Sequence, residues 1–165
     1  MLAKLLLPLF AIAALAPTSA AQYPADAVAL HWSVAGGGTA GTFCWGFQCA
    51  PDPATVSAGD AVTLLLRGDP NAAFVVAVST SATSCLSIPG IAHSLVLDLP
   101  LVVAFTGILD QFGPILSCPN GEKTIPFAFP GNVPIGSTFG IQAIVLPAST
   151  FAPLSFTQTV LVTVS

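Results

Sequence analysis

Two histidines, four cysteines and one aromatic loop are the residues of this chain whose types could do chemistry. His31 and His93 are the side chains that titrate near neutrality, so either could serve as a general base. A hydrolase triad would also need a serine and an acid brought to the same histidine. Serines are plentiful, but no Gly-x-Ser-x-Gly elbow occurs. His31 lies beside Trp32 in an apolar run and His93 precedes a strand-like run, positions that suit structural roles. His31, Cys44 and Cys49 together could hold zinc only as free thiolates, which an oxidising compartment removes. GGGTAG at 36–41 matches G-x-G-x-x-G formally, yet it runs into Thr42, Phe43 and Cys44 with no helix to face a pyrophosphate. It reads as a turn, and no catalytic, cofactor or metal site is expected.

The segment FCWGFQC at 43–49 is the strongest candidate for binding. A Cys44–Cys49 bridge would hold Trp45 and Phe47 on a small ring, and rigid aromatics on a loop suit carbohydrate faces or protein partners. Trp32 could extend that platform. The competing reading has the same rings plugging one end of a core.

Which state the cysteines take depends on compartment. Lys4 supplies a basic start, residues 5–16 are an apolar run, and small residues end at Ala20 and Ala21. This is the pattern of a secretory signal peptide, residues 1–21. Export and an even cysteine count favour disulfides among Cys44, Cys49, Cys85 and Cys118. Three pairings are open, and sequence proximity favours Cys44–Cys49 with Cys85–Cys118.

The composition is 54% hydrophobic and only 6% charged. Beyond Lys4 the cations are Arg67 and Lys123, against seven acids. Two isolated cations cannot build a phosphate-binding surface, so nucleic acid is excluded as a partner. No later stretch reaches the roughly 20 uninterrupted apolar residues of a spanning helix. Hydrophobic residues fall instead into short runs broken by Gly, Pro, Ser and Asn.

These runs predict strands. Val62, Leu64 and Leu66 share a face, as do Phe74, Val76 and Val78, then Phe139, Ile141, Ala143 and Val145, and finally Val160, Val162 and Val164. Thr157, Thr159 and Thr163 are expected to point away from that last face. Gly68–Asp69–Pro70–Asn71 has turn chemistry. Seven or eight such strands predict an all-β fold, an antiparallel β-sandwich. Its body is expected at 54–165, after an irregular lead-in at 22–53 that carries the Cys44/Cys49 loop.

From Ala54 onward the chain resembles an uncharacterised family of small secreted β-sandwich domains met in planctomycete bacteria. The resemblance rests on IPFAFP, IGSTFGIQAIVLP and LSFTQTVLVTVS near the end, and on ATVSAGDAVTLLLRG upstream. It implies fold and export, and no activity. The resulting expectation is an exported structural or interaction module of the cell envelope or extracellular space, able to self-associate or to meet other envelope proteins or glycans. The alternatives are a carbohydrate-binding module using Trp45 and Phe47, and a secreted hydrolase using His31 or His93.

Overall fold

The computed structural model describes residues 27–42, 44, 47–111, 119–148 and 154–165. The expected signal peptide, residues 1–21, lies outside them, as do Trp45 and Cys118. Fourteen strand segments and no helix occur among the described residues: β1 (Ala29–Val34), β2 (Thr39–Gly41), β3 (Asp52–Val56), β4 (Ala61–Gly68), β5 (Ala73–Ser79), β6 (Leu86–Ser87), β7 (Ile91–Ala92), β8 (Ser94–Leu95), β9 (Val102–Ile108), β10 (Asp110–Gln111), β11 (Gly121–Ala128), β12 (Thr138–Leu146), β13 (Leu154–Phe156) and β14 (Val160–Val164).

They form two stacked sheets and a separate two-stranded antiparallel ribbon, β6-β8. The first runs β10-β11-β4-β1-β2, all antiparallel. The second is built on β9-β5-β12, with β14 and β13 pairing successive parts of β12. Two pairings are parallel, β14 with β3 and β13 with β7, so the sandwich is not purely antiparallel.

The period-2 patterns place the core as expected. Val62, Leu64, Leu66, Phe74, Val76, Ile141, Ala143, Val145, Val160, Val162 and Val164 are all buried between the sheets. Within the expected irregular lead-in at 22–53, residues 29–34 and 39–41 are the regular strands β1 and β2. Leu30, Trp32 and Val34 alternate inward on β1, which sits between β4 and β2, and the expected boundary at Ala54 falls inside β3. The GGGTAG stretch is the turn and return strand of the β1–β2 hairpin, closed by Gly37 N donating to Val34 O at 3.0 Å. Gly41, at φ 94°, could carry no side chain, because a Cβ there would lie 2.1 Å from the Leu30 carbonyl oxygen.

Thr157 and Thr159 are buried, contrary to expectation. Between β13 and β14 the chain leaves the regular ladder, and Thr157 Oγ1 accepts the Ala143 N–H at 2.9 Å. Its hydroxyl stands in for a strand carbonyl, which is why a polar side chain belongs there.

The connection from β5 to β9 lies over the outer face of the second sheet as a partial third layer. Ala82, Val96 and Leu97 form a second core there, with Phe47, Ala77, Leu95 and Leu161 packed around it. At Gly140 in β12 a Cβ would stand 2.6 Å from Leu97 and 2.8 Å from Ala82, so the layer seats only on a bare backbone. Two buried glutamines fix it. Gln142 Oε1 accepts the Val96 N–H at 3.0 Å, while Nε2 donates to Ser94 O and Thr157 O, both at 2.9 Å. Gln158 accepts the Gln48 N–H and donates to Ala50 O, each at 2.8 Å, which holds the 47–50 backbone against the sheet.

Candidate interaction face

Phe47 is half-buried, packs on the second core and stacks on His93 with centroids 5.2 Å apart. Trp32 is 0% exposed, deep between the sheets, and drops out of any surface site. Trp45 lies outside the described residues.

The local pairing of Cys44 with Cys49 is replaced. Cys49 bonds Cys85, 36 residues away, and Cys44 is itself disulfide-bonded. The physical reason is the Gln158 clamp: it draws the loop across the second sheet to the edge of the third layer, where Cys85 waits. That removes Cys85–Cys118 as well. With both sulfurs of the His31, Cys44 and Cys49 set oxidised, that set has no thiolates for zinc.

The histidines lie apart, His31 on the first sheet and His93 beside Phe47 in the third layer. Burial depresses the His31 pKa most, a hydrogen bond with the Gly41 backbone opposes this, and the Arg67 charge lowers it further. Both later cations are taken by partners: Arg67 lies 2.7 Å from Glu122, its register partner across β4 and β11, and Lys123 lies 2.8 Å from Asp110.

Asp98 closes the third layer. Ser81 Oγ and Thr83 Oγ1 donate to its Oδ2 at 2.5 and 2.8 Å, Thr83 N–H adds a bond at 3.1 Å, and Ser84 Oγ donates to Oδ1. These hydroxyls hold the carboxyl well below the usual carboxylate range, Ser81 first among them. A lowered folded pKa means that the unfolded chain takes the proton more readily, so Asp98 contributes stability that is lost as pH falls below about 4. Depressed His31 has the same sign in a higher window, beginning near pH 6.5. Thermal melts from pH 7 to 2 should therefore decline in two stages, and Asp98→Asn should flatten only the acid one.

What the molecule does expose is apolar. Val102 and Val103 are each 60% exposed and Ile108 58%, all on β9, with Leu99 and Leu101 leading into the strand and Leu146 beside it. The outward row Ile108, Ala73 and Leu146 is continuous in register across β9, β5 and β12. Next to it lies a groove of about 260 Å³ between the third layer and β9, walled by Leu95, Leu97, Leu101 and Val103 over a floor that includes Val75 and Ile144.

Among the described residues, β9 pairs only with β5, so its other backbone edge is open. Most of β11 shares that condition, since β10 covers only Gly121 and Glu122. Yet β11 carries Lys123 and Pro126, two residue types that discourage edge pairing. No charge or proline occurs in β9. A bulge at Ala104 interrupts it, leaving 105–108 as an unbroken edge. In the sequence the signal for such an edge is apolar residues on both parities of 101–108 with no charge between them.

No protein family matches this chain, and no curated protein matches it in sequence. Among solved structures, a chitin binding domain from Burkholderia pseudomallei is similar with a TM-score of 0.41 and 14% identity, over 68% of this chain and 57% of that one. A cellulose-active polysaccharide monooxygenase from M. thermophila gives 0.37 and 12%, over 76% of this chain and 56% of that one. The chain thus spans little more than half the length of either.

Proposed function

We propose that this protein is an exported, non-catalytic assembly module that joins a second copy of itself through β9. The observation that carries the reading is the uncharged β9 edge, unpaired among the described residues and flanked by exposed Val102, Val103 and Ile108. Strand addition there would satisfy the free backbone groups, and an isologous pair would cover both apolar rows at once. With both later cations paired to acids and none on β9, charge does not oppose the approach. Disulfides fit an oxidising compartment. Glycan binding through Trp45 and Phe47 loses support from the half-buried Phe47, and the hydrolase reading gains none from histidines on different layers.

The test is sedimentation of the oxidised chain from residue 22 across a concentration series. The native chain is expected to dimerise or assemble further. Val103→Lys and Thr106→Lys, both at exposed positions of β9, should give monomers with melting temperatures within a few degrees of native. A native chain that stays monomeric at high concentration would overturn the proposal, as would assembly unaffected by both lysines.

A further inference from the structure

The turn from β4 to β5 holds a bond with chemistry of its own. Asp69 is followed by Pro70, so the peptide between them is a tertiary amide without an N–H, and its nitrogen takes a proton more readily than an ordinary peptide nitrogen. The Asp69 side chain is one methylene long, so a carboxyl oxygen can close a five-membered ring onto the carbonyl carbon of that same bond. The same dipeptide occurs at Asp52–Pro53, where β3 is drawn out in its ladder with β14.

The turn differs in how it holds the bond. The Asp69 carbonyl oxygen accepts the Ala72 N–H at 3.2 Å, which draws electrons from the carbon and steadies charge that develops on the oxygen during attack. Asn71 N–H donates to Leu109 O and Leu109 N–H to Ala72 O, both at 2.9 Å, and Asn71 is kept at φ 62°. The Gly121 backbone presses on the same carbonyl: a Cβ there would lie 2.4 Å from its oxygen and 2.5 Å from its carbon. The bond is thus pinned in one conformation, while Asn71 beside it is open to water. Asp69 is itself half-buried, which raises its pKa and keeps more of it protonated at a given acid pH. The charged residues on the elements that meet this turn, Arg67 of β4, Asp110 of β10 and Glu122 and Lys123 of β11, are paired with one another, and β5 and β9 carry none.

We propose that Asp69 cuts its own peptide bond to Pro70 in mild acid, turning the module into two chains. The protonated carboxyl gives its proton to the Pro70 nitrogen, and the oxygen left behind attacks the Asp69 carbonyl carbon. The C–N bond breaks, which releases Pro70 as a secondary amine and closes a cyclic anhydride on Asp69. One water then opens the anhydride to a side-chain and a terminal carboxyl group, so the sum is hydrolysis of one peptide bond with no other reactant. The fold outlasts the cut: β4 stays paired with β1 and β11, β5 with β12 and β9, and the Cys49–Cys85 bond spans the break. Every reacting group belongs to the turn, so the reaction does not depend on pairing through β9.

The oxidised chain from residue 22 is held at about pH 4.5 and about pH 7.5, and its mass is followed with and without reduction. In acid the intact chain should gain the mass of one water, and reduction should then release a fragment that begins at Pro70. The rate should be first order and independent of protein concentration, unlike that of a contaminating protease. Cleavage at Asp52–Pro53 should be about tenfold slower in the folded chain and level with the other in urea, where the turn is lost. Asp69→Asn lacks the carboxyl and should stop the cut at 69–70 alone, with its melting temperature showing that the fold is kept. Equal rates at the two bonds of the folded chain would overturn the proposal, as would a folded chain that stays whole in acid or unchanged cleavage of Asp69→Asn. A preference that persists in urea would overturn the role given to the turn.

Discussion

Replacing Gln142 by alanine should cost the fold about 3–5 kcal/mol, read as a shift of the urea midpoint. Gln142 is buried and joins three backbone groups from two separate segments, Val96 N–H, Ser94 O and Thr157 O. Each such group left dry and unpaired costs roughly 1–3 kcal/mol, and three at once exceed the usual effect of a point substitution. Gln142→Leu restores volume without partners, so most of the loss should persist. Gln142→Glu keeps the acceptor for Val96 but aims a carboxylate at two carbonyls. Its folded pKa must rise, so its deficit should shrink as pH falls, opposite to the native acid response. Hydrogen exchange at Val96 should quicken more than exchange in β4. A Gln142→Ala protein of native stability would mean that the third layer is not held by this side chain.

The Cys49–Cys85 bond should be worth about 4 kcal/mol, since it closes a separation of 36 residues on the loop-entropy scale. Both cysteines are exposed, so the Cys49→Ser, Cys85→Ser pair removes little packing and reports the cross-link. Connectivity can be read directly. Trypsin cuts after Arg67 and Lys123, which puts Cys44 and Cys49 in one fragment and Cys85 and Cys118 in the next. The observed bond joins those fragments until reduction. Local pairing, which the spacing suggested, would release the fragments separately.

That contrast marks where sequence reasoning works in this chain. Strands such as β4 and β14 were legible because a period of two fixes which side chains are buried, and nothing distant is needed to decide it. β1 carries the same signal in Leu30, Trp32 and Val34, but the surrounding Gly, Pro and Cys residues drew attention to irregularity. Disulfide partners were illegible because they depend on where Gln158 anchors a loop 110 residues earlier in the chain. Thr157 defies the periodic pattern because its hydroxyl substitutes for backbone where the ladder breaks, and a break leaves no periodic trace. For the aromatic loop the sequence leaves both readings open, since composition cannot tell a displayed ring from one that plugs a core.

The passage from β9 to β10 has a mechanical consequence. Leu109 is buried at the bend, and its N–H and C=O bond Ala72 and Asn71 at 2.9 Å, so one stretch of backbone belongs to the second sheet before it and the first sheet after it. A partner gripping β9 therefore pulls on both layers. Force along that stretch is shared by two ladders loaded in shear, where many hydrogen bonds must fail together, rather than peeled from one sheet a bond at a time. Under the proposed pairing, the strand that meets the neighbour would also pass load to both sheets.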